Sequence, residues 1–520
     1  MDRMPPEILH LIASWLSIDD ACNLRLVNKA FSVVAAAYIL PEVTFQLHEK
    51  SLARLRSIAA HPVLSRHVKS LGYVSKRYES EPVPYAEFVC DVKRNEMVKK
   101  LQPDAFTHLP PIVPRSHLPQ HYELYKQKVI AQRVLDESQA DALCLQLILP
   151  KLTNLQQVTM SAGNQYYEGF TKKTNPYEDG CLRQPTFDGK PLGIAMLEVL
   201  LNAVANQDVS VPMLRAGLIS WRFFQKDPEE LHRLFKPFKG ATYIDLALGV
   251  DTDENGVDVT GDTSKCRACL RSGIIADILQ SMPKLNDIAI TFLDGEVDIS
   301  PTSLSHIITP GYQWTNLARL EIDSVDCERV ELWNFLLLHK DTLSTLCLRD
   351  VAFTKGSWRK ILVDIRKVLF LRHPCICGTL QGFAENEDGS SGPPEVFELS
   401  LGGPCDMRSS VNCYCTRGGE IYPDHLPLTD EIVDRYFDSH VRPTGVTSEA
   451  EDEAVMKELM LKSHRRRIML DITDPGWDRI SEGGDEHDMR ERDDDDTARF
   501  GDPDDWETLS PSEDDLDEER

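Results

Sequence analysis

Cysteine spacing is the pattern in this chain that comes closest to a metal site. Cys266 and Cys269 form a C-x-x-C pair, the spacing that structural zinc sites commonly use twice. No second C-x-x-C and no pair of histidines follows within the roughly 12–20 residues that such a site needs. We therefore interpret the pair as two reduced structural thiols, with a zinc site as the alternative.

A second group of candidate ligands lies nearer the C-terminus and comprises His373, Cys375, Cys377, Cys405, Cys413 and Cys415. The C-x-C spacing within this group would strain neighbouring ligands of one tetrahedral ion. Buried or surface thiols are thus the preferred interpretation, and a metal ion is the alternative. We predict no metal ligand and no cofactor.

The common catalytic motifs are absent from the sequence. There is no G-x-S-x-G, no G-K-[ST] phosphate loop, no G-x-G-x-x-G and no H-E-x-x-H. The 15 histidines are scattered without a recognisable catalytic context. We predict that the chain has no catalytic residues and acts by binding, with a metal-dependent or thiol enzyme as the less favoured reading.

Composition and charge narrow the class of partner. The chain has 13 cysteines, an odd number typical of reduced thiols, and no long apolar run or secretory signal. We expect a cytoplasmic and/or nuclear protein that does not span a membrane.

Residues 471–520 carry 22 Asp and Glu against 5 Arg, so this acidic tail is predicted to be disordered and to repel nucleic acid. The basic run KSHRRR at 462–467 is read as a helix end or hinge, or else as a nuclear-import signal.

The N-terminal stretch carries much more apolar surface than its length can bury. Two prolines favour a helix start, and the helix that follows has one apolar stripe formed by Ile8, Leu11, Ile12, Trp15 and Leu16. Ser17 is placed to cap a second helix with Asp20. About forty residues cannot bury such surface among themselves, which favours an interface with a partner. The alternative is packing on the rest of the chain.

The stretch MPPEILHLIASWLSIDDACNLRLVNKAF at 4–31 closely resembles an F-box. The pattern is carried by Met4, Pro5, Glu7, Ile8, Ile12, Leu16, Asp20, Leu24, Leu26, Val27, Lys29 and Phe31. Met4 stands where the pattern usually has leucine, and an unbranched side chain fits the same kind of pocket. Residues 41–73 look like the extension found in many fungal F-box proteins.

The resemblance implies a partner and a role. F-box segments dock on a Skp-type adaptor, which links them to a cullin and a ubiquitin-conjugating enzyme, while the downstream domain holds a protein substrate. This implies a substrate receptor that works by proximity; a non-degradative scaffold is the alternative. The residues implied to face the adaptor or to form the three-helix core are Pro5, Ile8, Leu9, Ile12, Leu16, Leu24, Val27 and Lys29.

A recurring phrase with apolar residues at i, i+3 and i+5 marks the middle of the chain. It begins at Ala241, Leu285, Leu317 and Leu343, usually after an amphipathic helical stretch. These helix–strand units resemble leucine-rich repeats. Their spacing of 44, 32 and 26 residues is irregular, however, and the asparagine expected after the strand is absent. An ordinary α/β domain with leucine-rich strands is the alternative.

We therefore predict a mainly α fold with α/β parts: a three-helix F-box, an irregular leucine-rich-repeat-like solenoid and a disordered acidic tail. The predicted segments are 1–45 (F-box), 46–160 (helical extension), 161–190 (loop), 191–384 (repeat-like body), 385–395 (flexible insert), 396–470 (mixed C-terminal region) and 471–520 (acidic tail).

Overall fold

The computed structural model describes a chain of alternating helices and strands. The described residues are 5–101, 113–162, 182–183, 193–207, 209–250, 261–293, 300–385, 391–399, 411–412 and 414–416. The α-helices are α1 (Pro6–Ser14), α2 (Ile18–Leu24), α3 (Lys29–Ile39), α4 (Glu49–Ala60), α5 (Tyr85–Leu101), α6 (Leu118–Glu137), α7 (Ala140–Ile148), α8 (Ile194–Asn206), α9 (Pro228–Phe235), α10 (Asp262–Leu270), α11 (Ile274–Gln280), α12 (Leu304–Ile307), α13 (Arg329–Leu338) and α14 (Trp358–Val368).

The strands lie between these helices in the sequence. They are β1 (Glu42–Phe45), β2 (Ser70–Val74), β3 (Gln157–Ser161), β4 (Met213–Ser220), β5 (Tyr243–Gly249), β6 (Asp287–Leu293), β7 (Thr302–Ser303), β8 (Arg319–Asp323), β9 (Val325–Glu328), β10 (Thr345–Arg349), β11 (Ala352–Lys355), β12 (His373–Glu385) and β13 (Ser391–Leu399). No helix in the described ranges is long and apolar enough to cross a bilayer.

The described strands form one 13-stranded sheet with two arms that meet at β12. The long arm has the order β1-β2-β3-β4-β5-β6-β8-β10-β12, and the short arm has the order β7-β9-β11-β12. All pairs are parallel except β12 with β13, which is antiparallel. Parallel neighbours need a crossover connection between them, and most of those in the long arm contain at least one helix.

Side chains at one register position form an apolar row across the long arm from β1 to β10. Val43 pairs with Leu71, and the row continues through one residue of each strand to Leu346. These side chains join those of α4, α7, α8 and the later helices in one continuous hydrophobic core. Because side chains alternate along a strand, the intervening positions point to the opposite face of the sheet.

Three left-handed residues turn the chain from the long arm into the short arm. Ser324 (φ 58°) follows β8, Asp350 (φ 50°) follows β10, and Gly378 (φ 79°) lies within β12. The three corners stack: Ser324 N–H donates to Arg349 O at 3.0 Å, and Asp350 N–H donates to the carbonyl of Cys377 at 3.2 Å. Asp350 Oδ1 also accepts from the Thr379 N–H at 2.8 Å.

The predicted mainly α fold with a leucine-rich-repeat-like solenoid is wrong. The structure has the α/β fold that the alternative interpretation described, with one continuous sheet that already starts at β1 and β2. These two strands lie where a helical segment was expected, because runs as short as EVTF and SLGYV do not distinguish a strand from a helix. The phrases at Ala241, Leu285, Leu317 and Leu343 each lead into a strand of this sheet.

Several predicted features lie outside the described residues. These are most of the 161–190 loop, the basic run 462–467 and the acidic tail 471–520. The segment boundaries therefore stay predictions. Within the segment predicted to be a flexible insert, residues 391–395 belong to β13, which pairs with β12.

Asp287 on β6 is a carboxylate that the fold holds without full compensation. Its Oδ1 is shielded from solvent and accepts no hydrogen bond, and Arg319 Nε lies 3.8 Å away. Burial raises the pKa of Asp287 to about 6; Arg319 opposes this rise, while Asp245 and Glu321 add to it. The ionised form is therefore less favourable in the folded chain than in water.

Gly378→Ala tests the stacked corners. An added Cβ would overlap the Asp350 carboxylate and lie 3.0 Å from the Asp350 backbone nitrogen. Gly311 is the matched control, since it has a similar φ of 78° and nothing within 4 Å of the added Cβ. We expect Gly311→Ala to lower the free energy of unfolding by about 1 kcal/mol and Gly378→Ala by about 1–3 kcal/mol more. If urea denaturation gave the same loss in free energy of unfolding for both variants, the stacked arrangement of the corners would be contradicted.

Asp287→Asn tests the uncompensated carboxylate through pH. In the folded chain Asp287 keeps its proton up to a pKa of about 6, whereas in the unfolded chain it loses the proton near pH 4. Ionisation therefore costs the wild type stability as pH rises from 4 to 6. We expect the free energy of unfolding of the variant, relative to that of the wild type, to rise by about 1 kcal/mol between pH 4 and pH 7. Parallel pH profiles in urea denaturation would show that the carboxylate is compensated.

Candidate adaptor-binding surface

The three N-terminal helices begin where local chemistry predicts. Pro6 occupies the first turn of α1, where its missing N–H costs no hydrogen bond, and Glu7 lies in the same turn, close to the positive helix end. Ser17 caps α2: its Oγ accepts from the Asp20 N–H at 3.1 Å and donates to Asp20 Oδ2 at 2.7 Å. Asn28 caps α3 by accepting from the Phe31 N–H at 2.9 Å. These caps start each helix only a few residues after the previous one ends.

These helices share a small core of their own. Leu9, Ala13, Phe31 and Val34 form a buried cluster separate from the main core, with Leu24 and Tyr38 packed at its edge. His10 Nδ1 and the Tyr38 hydroxyl lie 3.2 Å apart and link α1 to α3. A core this small leaves much of the helix surface uncovered.

The uncovered surface is apolar. Within the described chain, α1, α2, α3 and their connections expose large hydrophobic side chains at Ile8, Leu11, Ile12, Trp15, Ile18, Leu26, Val27 and Val33. Trp15 is 83% exposed and Leu26 is 85% exposed. We call this set the apolar surface. So many exposed large apolar side chains within about 25 residues are typical of an interface.

Helix α1 carries two apolar faces rather than one. Leu9 and Ala13, four residues apart, face inward and are buried. Ile8, Leu11, Ile12 and Trp15 have the i, i+3, i+4, i+7 spacing of one helix face and are exposed. The stripe that the sequence shows most clearly therefore faces outward, while Leu9, which lies off the stripe, holds the helix in place.

The residues implied by the resemblance separate into two groups. Leu9 is buried in the small core, Leu24 packs at its edge, and Leu16 is half-buried. The exposed members are Pro5, Ile8, Ile12, Val27 and Lys29. This exposure is what an adaptor-facing role requires, and the assignment of that role stays a prediction.

The implied set omits part of the apolar surface. Leu11, Trp15, Ile18, Leu26 and Val33 are exposed and lie on the same three helices or the turns between them. Leu11 and Trp15 could have been included from the helical spacing of the stripe. Leu26 belongs to the F-box pattern and could have been included on that ground, whereas Ile18 and Val33 carry no comparable signal in the sequence.

His67 is a titratable side chain close to the three N-terminal helices. The short 3₁₀ helix Leu64–His67 packs beside α3. Burial lowers the pKa of His67, and the nearby charges of His10 and Lys69 lower it further. The lowered pKa favours the neutral imidazole of His67 beside the N-terminal helices.

Within the described residues, the cysteines singled out by their spacing do not form a cluster that could bind a metal ion. Cys266 is buried in α10 and Cys269 is half-buried, and burial raises the pKa of the Cys269 thiol. Cys375 Sγ and Cys377 Sγ lie 4.0 Å apart on β12, whereas Cys405 and Cys413 lie outside the described part. Burial raises the pKa of Cys415 to about 12. No group of three or more His, Cys, Asp or Glu among the described residues is arranged to hold a metal.

Comparison with known proteins agrees with this geometry at the N-terminus. A family model of the F-box domain matches residues 1–35, the part of the chain that includes α1, α2 and the first turns of α3. No curated protein matches the chain. F-box domains bind Skp-type adaptors, and proteins that contain them are typically non-catalytic subunits of ubiquitin ligases. Residues 1–35 are therefore an F-box domain, carried on an α/β body.

Proposed function

We propose that this chain is a substrate receptor of a Skp–cullin–F-box ubiquitin ligase. The apolar surface binds the Skp-type adaptor, which recruits the cullin, and the α/β body holds a protein substrate. The chain itself supplies no bond-breaking step. It raises the effective concentration of a substrate lysine near the charged ubiquitin-conjugating enzyme.

One observation carries the proposal: the F-box helices expose an apolar face while they hold their own small core. Burying one such aliphatic side chain contributes about 1.5–3 kcal/mol. Several side chains buried together offset the loss of freedom on association, which costs about 4–15 kcal/mol. The surface is thus suited to a tight, largely preformed interface in which α1 contributes its exposed stripe.

A non-degradative scaffold is the second candidate function, since adaptor binding by itself does not require ubiquitin transfer. A reconstituted reaction separates the two. A receptor transfers ubiquitin to a protein that binds its body, whereas a scaffold binds the adaptor and the same protein without transfer. Transfer that depends on Ile8 and Ile12 would support the receptor.

Charging the exposed stripe tests adaptor binding. Ile8→Asp with Ile12→Asp places two carboxylates in the apolar contact, so we expect at least a hundredfold weaker binding of a purified Skp-type adaptor. Both side chains are exposed, and the free chain should keep its helical circular dichroism.

The matched control lies on the body. Val330 and Leu337 on α13 are also exposed aliphatic residues, and Val330→Asp with Leu337→Asp should leave adaptor affinity within about twofold. The assignment fails if the stripe variant binds the adaptor as tightly as the wild type does, or if both double variants lose binding equally.

Removal of residues 471–520 tests whether the F-box acts independently of the acidic C-terminal segment. That segment carries a net charge of −17, but the apolar surface lies on the N-terminal helices. We expect calorimetry to give the same adaptor affinity for the truncated and complete chains at moderate salt. A tenfold loss would mean that the acidic segment takes part in adaptor binding.

A further inference from the structure

One face of the parallel sheet is polar, and it is partly exposed where its strands begin. Parallel sheets are normally covered on both faces, and their strands then read as continuous apolar runs. Here the positions that alternate with the apolar row form a second register row across the long arm. Its members are all exposed or half-exposed, and they are Glu42, Ser70, Gln157, Met213, Tyr243, Asp287, Arg319, Thr345 and His373. The next row on the same face is more shielded, since Thr159, Asp245, Ala289 and Cys347 are buried.

Charged side chains concentrate where this face crosses β4, β5, β6 and β8. Arg215 Nε lies 3.4 Å from Asp245 Oδ2, which also accepts from the Tyr243 hydroxyl at 3.0 Å. Arg319 lies 3.8 Å from Asp287 and donates to Glu321 Oε2 at 2.7 Å. We call Asp245, Asp287 and Glu321, with Arg215 and Arg319, the charged strip.

The charged strip has more acid than base. Its three carboxylates face two guanidinium groups, and Asp287 Oδ1 accepts no hydrogen bond. The raised pKa of Asp287 has burial as its first cause and neighbouring carboxylates among the others. Groups that a fold holds at a cost to its stability are concentrated at functional sites. A further cation with N–H donors would satisfy Asp287 Oδ1, whose nearest cation is Arg319 Nε at 3.8 Å.

We infer that the charged strip is the part of the body that binds the substrate, and that it recognises an extended protein segment carrying lysine or arginine side chains. The inference rests on the proposed receptor function and adds the chemistry of its substrate. Asp287 and Glu321, which are partly exposed, lie on the neighbouring strands β6 and β8, and the buried Asp245 lies beside them on β5; such strands are about 4.8 Å apart. An extended segment that crosses the strands presents a side chain to the sheet every 6–7 Å or so, so successive basic side chains reach different carboxylates.

Fluorescence anisotropy with a defined peptide tests this inference on the complete chain bound to its adaptor. The probe is a labelled peptide in which lysine alternates with serine, and the reference is the same peptide with glutamate in place of lysine. We expect the lysine peptide to bind, and Asp287→Asn with Glu321→Gln to weaken binding about tenfold. Binding should fall as salt rises.

The matched control changes two exposed carboxylates on the helical side of the body. Glu229→Gln with Asp341→Asn removes the same charge from α9 and from the turn after α13, and it should leave the affinity unchanged. Because residues 471–520 also attract cations, a benzophenone on the peptide identifies the binding site by cross-linking. Cross-links to β5, β6 and β8 are the expected result.

Three results would overturn the inference: equal binding of the two peptides, unchanged affinity in the Asp287→Asn/Glu321→Gln variant, or cross-links confined to residues 471–520. Adaptor co-purification, measured on the same samples, separates this inference from the proposed function. If the chain binds the adaptor but not the lysine peptide, only the inference about the charged strip fails. Peptide bound to the charged strip without adaptor binding defeats the receptor proposal alone.

Discussion

The division of α1 into a buried face and an exposed face is the constraint on which the function of this chain depends. Leu9 and Ala13 hold α1 against α3, and that contact presents Ile8, Leu11, Ile12 and Trp15 to solvent. If the helix turned its stripe inward, the F-box would gain a larger core and lose its interface. The small core is therefore sufficient to position the apolar surface but not to cover it, and burial of that surface against a partner would remove it from water.

A similar asymmetry governs the body. The helices bury the apolar row on one face of the sheet, whereas the polar row on the other face stays open. The polar face also holds an undercompensated carboxylate at Asp287, whose Oδ1 is shielded from solvent and accepts no hydrogen bond. The F-box helices thus leave apolar side chains exposed and the sheet holds a carboxylate without full compensation, and both features lower the stability of the isolated chain.

The sequence predicted local features well and the architecture less well. Proline at the start of α1 and the Ser17 cap of α2 are short-range signals, and the structure has both. The repeated apolar phrases were recognised as strand starts, but the sheet that joins them was not. Strand pairing links residues far apart in sequence, such as Val43 with Leu71 and Val158 with Leu214, and no local pattern records which strands become neighbours. The corners at Ser324 and Asp350 are likewise invisible, since neither residue is a glycine.

By itself, the sequence determined the family of the N-terminal segment, the positions where its helices begin, the absence of familiar catalytic motifs and the presence of buried strands in the middle of the chain. These properties depend on residue types within a few positions of one another. Only the tertiary structure decided which apolar side chains of the F-box stay exposed, that the strands form one α/β sheet, and that Asp245, Asp287 and Glu321 lie on neighbouring strands at its polar face. The physical reason is that exposure and long-range neighbours are set by packing between segments distant in the chain.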